Sequence, residues 1–283
     1  MDNSTVLIIG ITGFLGRHMA KYLQNKYKDI KIIGVANSQY KISQFTKVIK
    51  NIKIYCLNIT SKHFKSELNS IFGENHIDYV IHTAAMKYIE IAEDNIMTTI
   101  QTNVIATDEL IKVSKHYNIK NMIAISTDKA NSPKNVYGMS KYMMEKLVLD
   151  NGYTIYQGVN FLWSDGSVFD IWSKQMNKDR YLTVTNPNFI RYFDTIESIC
   201  KDIIDNIDKK HTIILPQKAY MLSVKQCLDC FCKYFNYNKF AIIGAMDIEK
   251  NIEEINSSIK IIKLSDDKFI DILNNCNNNI WFI

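Results

Sequence analysis

Three prolines and ten glycines in 283 residues exclude a collagen-like repeat, and a hydrophobic content of 47% excludes a disordered chain. The prolines, Pro133, Pro187 and Pro216, all fall in turn-like stretches. No apolar run reaches the ~18–20 residues of a membrane helix, so no membrane partner is expected. The opening MDNSTVLIIG has no basic segment ahead of its apolar run, so no signal peptide is expected and the cytoplasm is the expected location. The net charge of +5 is small for this length and comes as scattered lysines, which argues against a nucleic-acid groove. It would still favour a cleft that takes a phosphorylated ligand. Six cysteines without a signal peptide predict free thiols in a reducing compartment. Cys227, Cys230 and Cys232 sit close together, yet Val224, Cys227, Leu228 and Phe231 recur at helical spacing, so the segment reads as an amphipathic helix. Zinc needs four converging ligands, and no second Cys/His pair lies nearby, so no metal is expected.

What the chain does have is alternation. Strands are expected at 6–10, 30–36, 52–57, 77–85, 121–127 and 154–159, and helices at 14–27, 60–72, 95–117 and 136–150. The helix at 60–72 is expected to open on a Thr/Ser cap. Leu15, Met19 and Leu23 form one face of the first helix. Continuous apolar strands joined by helices predict an α/β protein with a Rossmann-type, doubly wound parallel sheet. Beyond residue 160 the order is less regular, with a helix at 195–208, a strand at 211–215 and a helix at 223–235. We therefore expect a dinucleotide-binding domain over 1–158, with 192–215 adding to it. A smaller C-terminal substrate-binding subdomain is expected over 159–191 and 216–283.

The first strand runs into Gly10-Ile11-Thr12-Gly13-Phe14-Leu15-Gly16 and then a helix. In such a turn Gly10 permits the tight bend, Gly13 lets backbone approach a pyrophosphate, and Gly16 lets the helix lie close to the sheet. The helix N-terminus offers free N–H groups to phosphate. A carboxylate at the end of the second strand would accept from the ribose 2′-OH of NAD. Here the strand ends in Asn37-Ser38-Gln39-Tyr40-Lys41. The missing acid favours NADP over NAD, with Arg17 and Lys41 as candidate phosphate partners; the alternative is that both are solvated surface cations.

Tyr137 and Lys141 share one helix face, about one turn apart. An ammonium ~4 Å from a phenol favours the phenolate by at most roughly 4 kcal/mol at an effective dielectric near 20. The pair is therefore a plausible base for taking a proton from an alcohol while hydride leaves for a cofactor. Ser126-Thr127-Asp128-Lys129-Ala130 ends the preceding strand, at the edge where ligands sit in open α/β sheets. Asp128 and Lys129 supply an acid and a base, which elimination of water from a β-hydroxy ketone needs together.

These residues bring a family into view. GITGFLG at 10–16, HTAAMKYIEIAEDN at 82–95, QTNV at 101–104, STDKANSPKNVYGMSK at 126–141, TVTNPNFIRYFDT at 183–195 and LPQKAYMLSV at 215–224 carry the resemblance. The chain resembles the extended short-chain dehydrogenase/reductases. More narrowly, it is similar to the inverting UDP-N-acetylglucosamine 4,6-dehydratases of polysaccharide biosynthesis. The resemblance implies that Tyr137 and Lys141 assist oxidation at C4 of the sugar. Lys129 would remove the C5 proton, Asp128 would protonate the departing C6 hydroxyl, and Thr127 would hold the C4 oxygen. The cofactor would be lined by Gly10, Thr12, Gly13, Phe14, Leu15 and Gly16, then by Asn37, Ser38, Lys41, Asn58 and Ile59. Thr83, Ala84, Ala85, Lys87, Asn103, Ser126, Tyr137 and Lys141 would complete that lining. Lys87, Thr127, Asn160 and Arg191 would face a UDP-sugar. A homo-oligomer is also implied.

The chain departs from the family at three places where arginine is usual: Gln157, Asp165 and Met246. Arginines there would naturally grip a diphosphate. Arg191 is kept, and Glu249, Lys250 and Glu253 match the family's C-terminal motif. The chain also ends earlier than family members usually do. Two other readings stand beside the dehydratase. One is a nucleotide-sugar 4-epimerase or 4-keto reductase on the same fold; the other is a non-catalytic NADP-binding protein with a degenerate substrate lobe.

Overall fold

The computed structural model describes residues 1–244 and 252–278. The first elements alternate as the sequence pattern requires: β1 (Thr5–Ile9), α1 (Phe14–Lys26), β2 (Lys31–Ala36), α2 (Gln39–Val48), β3 (Lys53–Cys56), α3 (Phe64–Glu74) and β4 (Tyr79–His82). Then come α4 (Ile89–Asp94), α5 (Ile96–Ile100), a π-helical turn at Gln101–Ile105, α6 (Ala106–His116), β5 (Asn121–Thr127), a 3₁₀ turn at Asp128–Ala130, α7 (Val136–Asp150) and β6 (Thr154–Gly158). The later elements are shorter: β7 (Asn160–Phe161), α8 (Val168–Met176), β8 (Leu182–Val184), β9 (Ile190–Asp194), α9 (Ile196–Asp205) and β10 (Ile213–Ile214). They continue as β11 (Lys218–Ser223), α10 (Val224–Phe235), β12 (Phe240–Ile242), β13 (Lys260–Lys263) and α11 (Asp266–Asn278).

The chain forms two compact units. The first comprises Met1–Gln157 and Cys200–Ile214; the second comprises Gly158–Ile199 and the described residues from Leu215 onward. The first unit holds a seven-stranded sheet in the order β3-β2-β1-β4-β5-β6-β10. β1 runs parallel to β2 and β4, β2 to β3, β4 to β5 and β6 to β10. This is the doubly wound order, with its reversal at β1. Every residue of β1 is buried, which explains its unbroken apolar run: helices cover both faces of the sheet. On one face Leu7, Ile9, Val35, Val80 and Ala124 pack with Leu68 and Phe72 of α3, Leu110 and Val113 of α6, and Met144 and Val148 of α7.

The second unit has a four-stranded sheet, β13-β11-β9-β7, and a two-stranded pair, β12-β8. β11 is antiparallel to β9 and parallel to β13. Its core is aromatic. Phe169 packs edge-on against Trp172, Phe193 and Phe269, and Trp163 packs against Phe231 and Phe235. Cys227 and Cys230 turn into that core from α10, as the amphipathic pattern predicts, and burial raises both thiol pKa values. No helix among the described residues is long and apolar enough to cross a membrane.

Two expectations need correction. The helix expected at 60–72 starts only at Phe64, because Asn58 Oδ1 accepts from Thr60 N at 3.1 Å and holds the preceding residues in a turn. The helix expected at 95–117 is interrupted by the π-helical turn. That turn carries Asn103, which is fully committed inside: Oδ1 accepts from Met86 N at 2.8 Å, and Nδ2 donates to Met86 O and Ser140 Oγ, both at 2.9 Å. One extra residue in the turn is the cost of aiming that amide inward.

Candidate active site

In a parallel sheet all C-terminal strand ends lie along one edge, and Ile9 of β1 is in register with Val35 and His82. The segments that follow β1 to β5 along that edge are Gly10–Gly16, Asn37–Lys41, Asn58–Ile59, Thr83–Lys87 and Ser126–Lys129. Gly10 has φ +88°, and a Cβ there would stand 2.8 Å from both Ala84 N and Thr83 Oγ1. The loop can therefore lie directly on the end of β4, where Thr83 N and Ala84 N donate to Ile9 O. A Cβ on Gly16 would reach 2.7 Å from Ile11 Cα, so only glycine lets α1 start this close to the strand. A Cβ on Gly13 would meet Gly10 O at 3.2 Å. Gly13 caps α1 without any side-chain acceptor for its first N–H groups. Thr12, Phe14 and Leu15 are buried, so what they offer a ligand is backbone. This cradle of free amides suits a pyrophosphate.

Arg17 is buried, with its guanidinium 5.1 Å over the Phe14 ring, and so belongs to the loop's packing. Ser38 caps α2, its Oγ accepting from Lys41 N at 3.3 Å. Asn37 and Lys41 are exposed beside it. Asn58 is exposed with Oδ1 turned to Thr60, and Ile59 is half-buried. Thr83 Oγ1 donates to Ile9 O at 2.9 Å; Ala84 and Ala85 are half-buried, and Lys87 is exposed over the Tyr88 ring. Asn103 is placed differently from the other members of the expected cofactor lining. It is 1% exposed and acts as a clamp between Met86 and Ser140.

The residues expected to react meet at the end of β5. Asp128 is buried, and its Oδ1 accepts from Thr127 Oγ1 at 2.8 Å and from Lys129 Nζ at 3.2 Å. Its Oδ2 is buried without a hydrogen-bond partner, and so is Ser126 Oγ. Both atoms are desolvated acceptors that a bound ligand can satisfy. Tyr137 feels all three neighbours. Burial raises its pKa most, the Lys129 charge lowers it, the Asp128 charge raises it, and a hydrogen bond with Thr127 lowers it, leaving a net rise. The cation that favours the phenolate is thus Lys129. Lys141, also buried, donates from Nζ to Ile125 O at 2.6 Å; burial lowers its pKa to about 8 against the opposing pull of Glu145.

α7 is made to start where it does. Asn135 Oδ1 accepts from Gly138 N at 2.8 Å, and Glu93 Oε1 accepts from Val136 N at 2.7 Å. A Cβ on Gly138 would lie 2.6 Å from Lys129 O, so glycine brings Tyr137 up against the Asp128–Lys129 turn. Sequence reasoning missed Glu93, Glu145 and His82. His82 is buried, its Nε2 2.9 Å from Thr107 Oγ1, and burial together with the Lys141 charge lowers its pKa to about 3. Their signal, charged or imidazole side chains inside apolar stretches, was present but not specific.

In the second unit Asn160 and Arg191 meet on Glu253. Glu253 Oε2 accepts from Asn160 Nδ2 at 2.6 Å and from Tyr192 N at 3.3 Å, while Oε1 lies 3.7 Å from Arg191 Nε. Arg191 also stacks 4.8 Å over Phe189. Gln157, read from the sequence as a lost arginine grip, has a protein partner. It is buried in β6 of the first unit and donates to Glu145 Oε1 at 2.9 Å, so an arginine there would meet that carboxylate. Asp165 is half-buried ahead of α8. Met246, Glu249 and Lys250 lie outside the described residues.

A family model described as polysaccharide biosynthesis protein matches residues 6–272. A UDP-glucose 4-epimerase of Rickettsia bellii (strain RML369-C) is 27% identical over 280 residues, covering 93% of this chain and 81% of the relative. An inverting UDP-N-acetylglucosamine 4,6-dehydratase of Campylobacter jejuni subsp. jejuni serotype O:2 is 31% identical over 221 residues, covering 74% of this chain and 65% of the relative. Among solved structures, Pen from Bacillus thuringiensis superposes with a TM-score of 0.86 at 22% identity, over 98% of both chains. The dTDP-glucose 4,6-dehydratase DesIV of Streptomyces venezuelae, solved with NAD bound, gives a TM-score of 0.83 at 12% identity, over 97% of both chains. At these identities the structures share the fold.

Proposed function

From the premise that the chain belongs to the polysaccharide biosynthesis protein family, we propose that it is a C5-inverting nucleotide-sugar 4,6-dehydratase. Its substrate is UDP-N-acetylglucosamine or a close relative, and its product is a 4-keto-6-deoxy sugar nucleotide. The observation that supports this most is the Lys129–Asp128 ion pair at 3.2 Å, buried on the carboxylate side and felt by Tyr137. An epimerase that oxidises and re-reduces C4 has no use for such a pair. An elimination needs both members.

The glycine cradle, the uncapped start of α1 and the orphaned Ser126 Oγ fit a dinucleotide held by Gly10–Gly16, Asn37, Ser38, Lys41, Asn58, Ile59 and Thr83–Lys87. The absence of a carboxylate from Asn37 to Lys41 favours the 2′-phosphate of NADP. Bound there, the nicotinamide supplies a hydride acceptor and donor. Tyr137 takes the proton of the C4 hydroxyl while Thr127 holds that oxygen. Lys129 then removes the C5 proton, and Asp128 protonates the C6 hydroxyl, which leaves as water. One proton moving from the Lys129 ammonium to Asp128 converts their ion pair into this base and acid with no change in net charge. With the hydride given back to C6, a proton would enter C5 from the face opposite Lys129 and invert that centre; C4 stays a ketone, and the proton that Tyr137 took from the C4 hydroxyl replaces the one delivered to C5. Within the second unit, Arg191 beside Asn160 is a group suited to phosphate, the guanidinium through charge-assisted bonds.

A second reading, 4-epimerisation, is favoured by the named epimerase that aligns over 93% of this chain. Mass spectrometry of a reaction with UDP-N-acetylglucosamine and catalytic NADP separates the two. The dehydratase gives a product lighter by one water. An epimer of unchanged mass would transfer the case to the second reading, and a keto-sugar reductase would be read from stoichiometric oxidation of NADPH in a separate reaction given a 4-keto sugar nucleotide.

A further inference from the structure

The dehydration steps make no use of the buried Glu145 carboxylate of the first unit. Glu145 lies one turn beyond Lys141 on α7, is buried, and accepts from Gln157 Nε2 of β6 at 2.9 Å. Lys141 is equally buried; its ammonium donates to Ile125 O of β5 at 2.6 Å and lies 3.5 Å from Met144 Sδ. A carbonyl and a thioether are weak compensation for a desolvated ammonium. The titratable groups around it are His82 from β4, Glu145 from its own helix, and Tyr137 one turn earlier, with Asp128 and Lys129 around that phenol. His82 is held neutral by its burial. Glu145, four residues further along the same helix and buried with Lys141, is therefore the carboxylate placed to act on it, and its charge opposes the lowering of the Lys141 pKa by burial. Gln157 satisfies one Glu145 oxygen with a neutral donor, so it does not cancel that charge as a guanidinium would.

We propose that Glu145 is a positioning residue that holds Lys141 as a cation against the Ile125 carbonyl, and that Gln157 is the residue that leaves Glu145 free to do so. The catalytic meaning of this rests on the proposed dehydratase function, in which Lys141, as the family resemblance implies, assists Tyr137 in the oxidation at C4. Protein labelled with ¹³Cε-lysine tests it directly. The Lys141 resonance, assigned by its loss in Lys141→Met, is followed through a pH titration without substrate. In Glu145→Gln and in Gln157→Arg its midpoint falls by about one pH unit or more, the scale at which a single buried charge acts. An unchanged midpoint in folded protein, checked by thermal unfolding, would overturn the proposal. Gln157→Arg keeps a donor facing Glu145 Oε1, so it carries the test if Glu145→Gln does not fold. Turnover of UDP-N-acetylglucosamine by the unaltered enzyme is assayed separately. A failure there strikes the dehydratase reading, and the titration of Lys141 still decides the role of Glu145.

Discussion

A single missing Cβ decides how close Tyr137 comes to Asp128 and Lys129, the proposed acid and base. At Gly138 any side chain would collide with Lys129 O. Gly138→Ala should therefore destabilise the protein by about 1–3 kcal/mol, the usual cost of overpacking. It should also lower kcat more than cofactor affinity; equal stability and full activity would show that the close approach is not needed. Lys129→Ala should abolish exchange of the C5 proton with solvent deuterium and leave NADP binding nearly unchanged. Tyr137→Phe should stop the first hydride transfer, seen as loss of the transient absorbance of reduced cofactor in a single turnover. His82 gives a signal in stability. Its pKa is lowered from 6.5 to about 3 in the folded protein, so the unfolded chain binds more protons in that window. Unfolding free energy should fall as pH drops through that window, by up to about 1.4 kcal/mol per pH unit. His82→Asn should flatten that part of the curve in denaturant titrations.

At the scale of elements, β5 and α7 were legible to the residue, at 121–127 and 136–150. Their ends are set by local chemistry: an apolar run that stops at polar residues, and the Asn135 cap. The π-helical turn was not legible, because its cause is a tertiary bond from Asn103 to Met86 and Ser140, distant in sequence. α2 was not expected at all, since Phe45 is its one buried residue and an apolar stripe is missing. Asn103→Ala should leave the Met86 N–H and C=O without their partner, while the Ser140 hydroxyl keeps its bond to Tyr137 O, costing about 2–4 kcal/mol when the two losses are combined. Because Met86 adjoins Lys87 and Ser140 accepts Asn103 within α7, the variant should bind cofactor more weakly as well. Calorimetric unfolding and cofactor titration on the same sample check both effects.

At the scale of the molecule, the parallel sheet gathers chemistry that is scattered along the chain onto one edge, and this part of the site was readable from motifs alone. The second unit was less readable. Its strands are two to six residues long, so period-2 patterns have little room to show. Gln157 illustrates a further limit. Sequence position beside Asn160 suggested a lost phosphate grip, yet the pleat turns its side chain to Glu145. The cofactor prediction also belongs here, since it concerns which ligand the whole sheet edge accepts. Ser38→Asp should shift preference from NADP toward NAD by about tenfold or more, the value of one charge-assisted bond lost. Paired dissociation constants for the two cofactors read this.

The most direct test of the central claim is a reaction of UDP-N-acetylglucosamine in D₂O, with the product followed by proton and carbon NMR. The account predicts a 4-keto-6-deoxy sugar nucleotide that carries deuterium at an inverted C5. A product that keeps its C6 hydroxyl and shows no deuterium at C5 would contradict it.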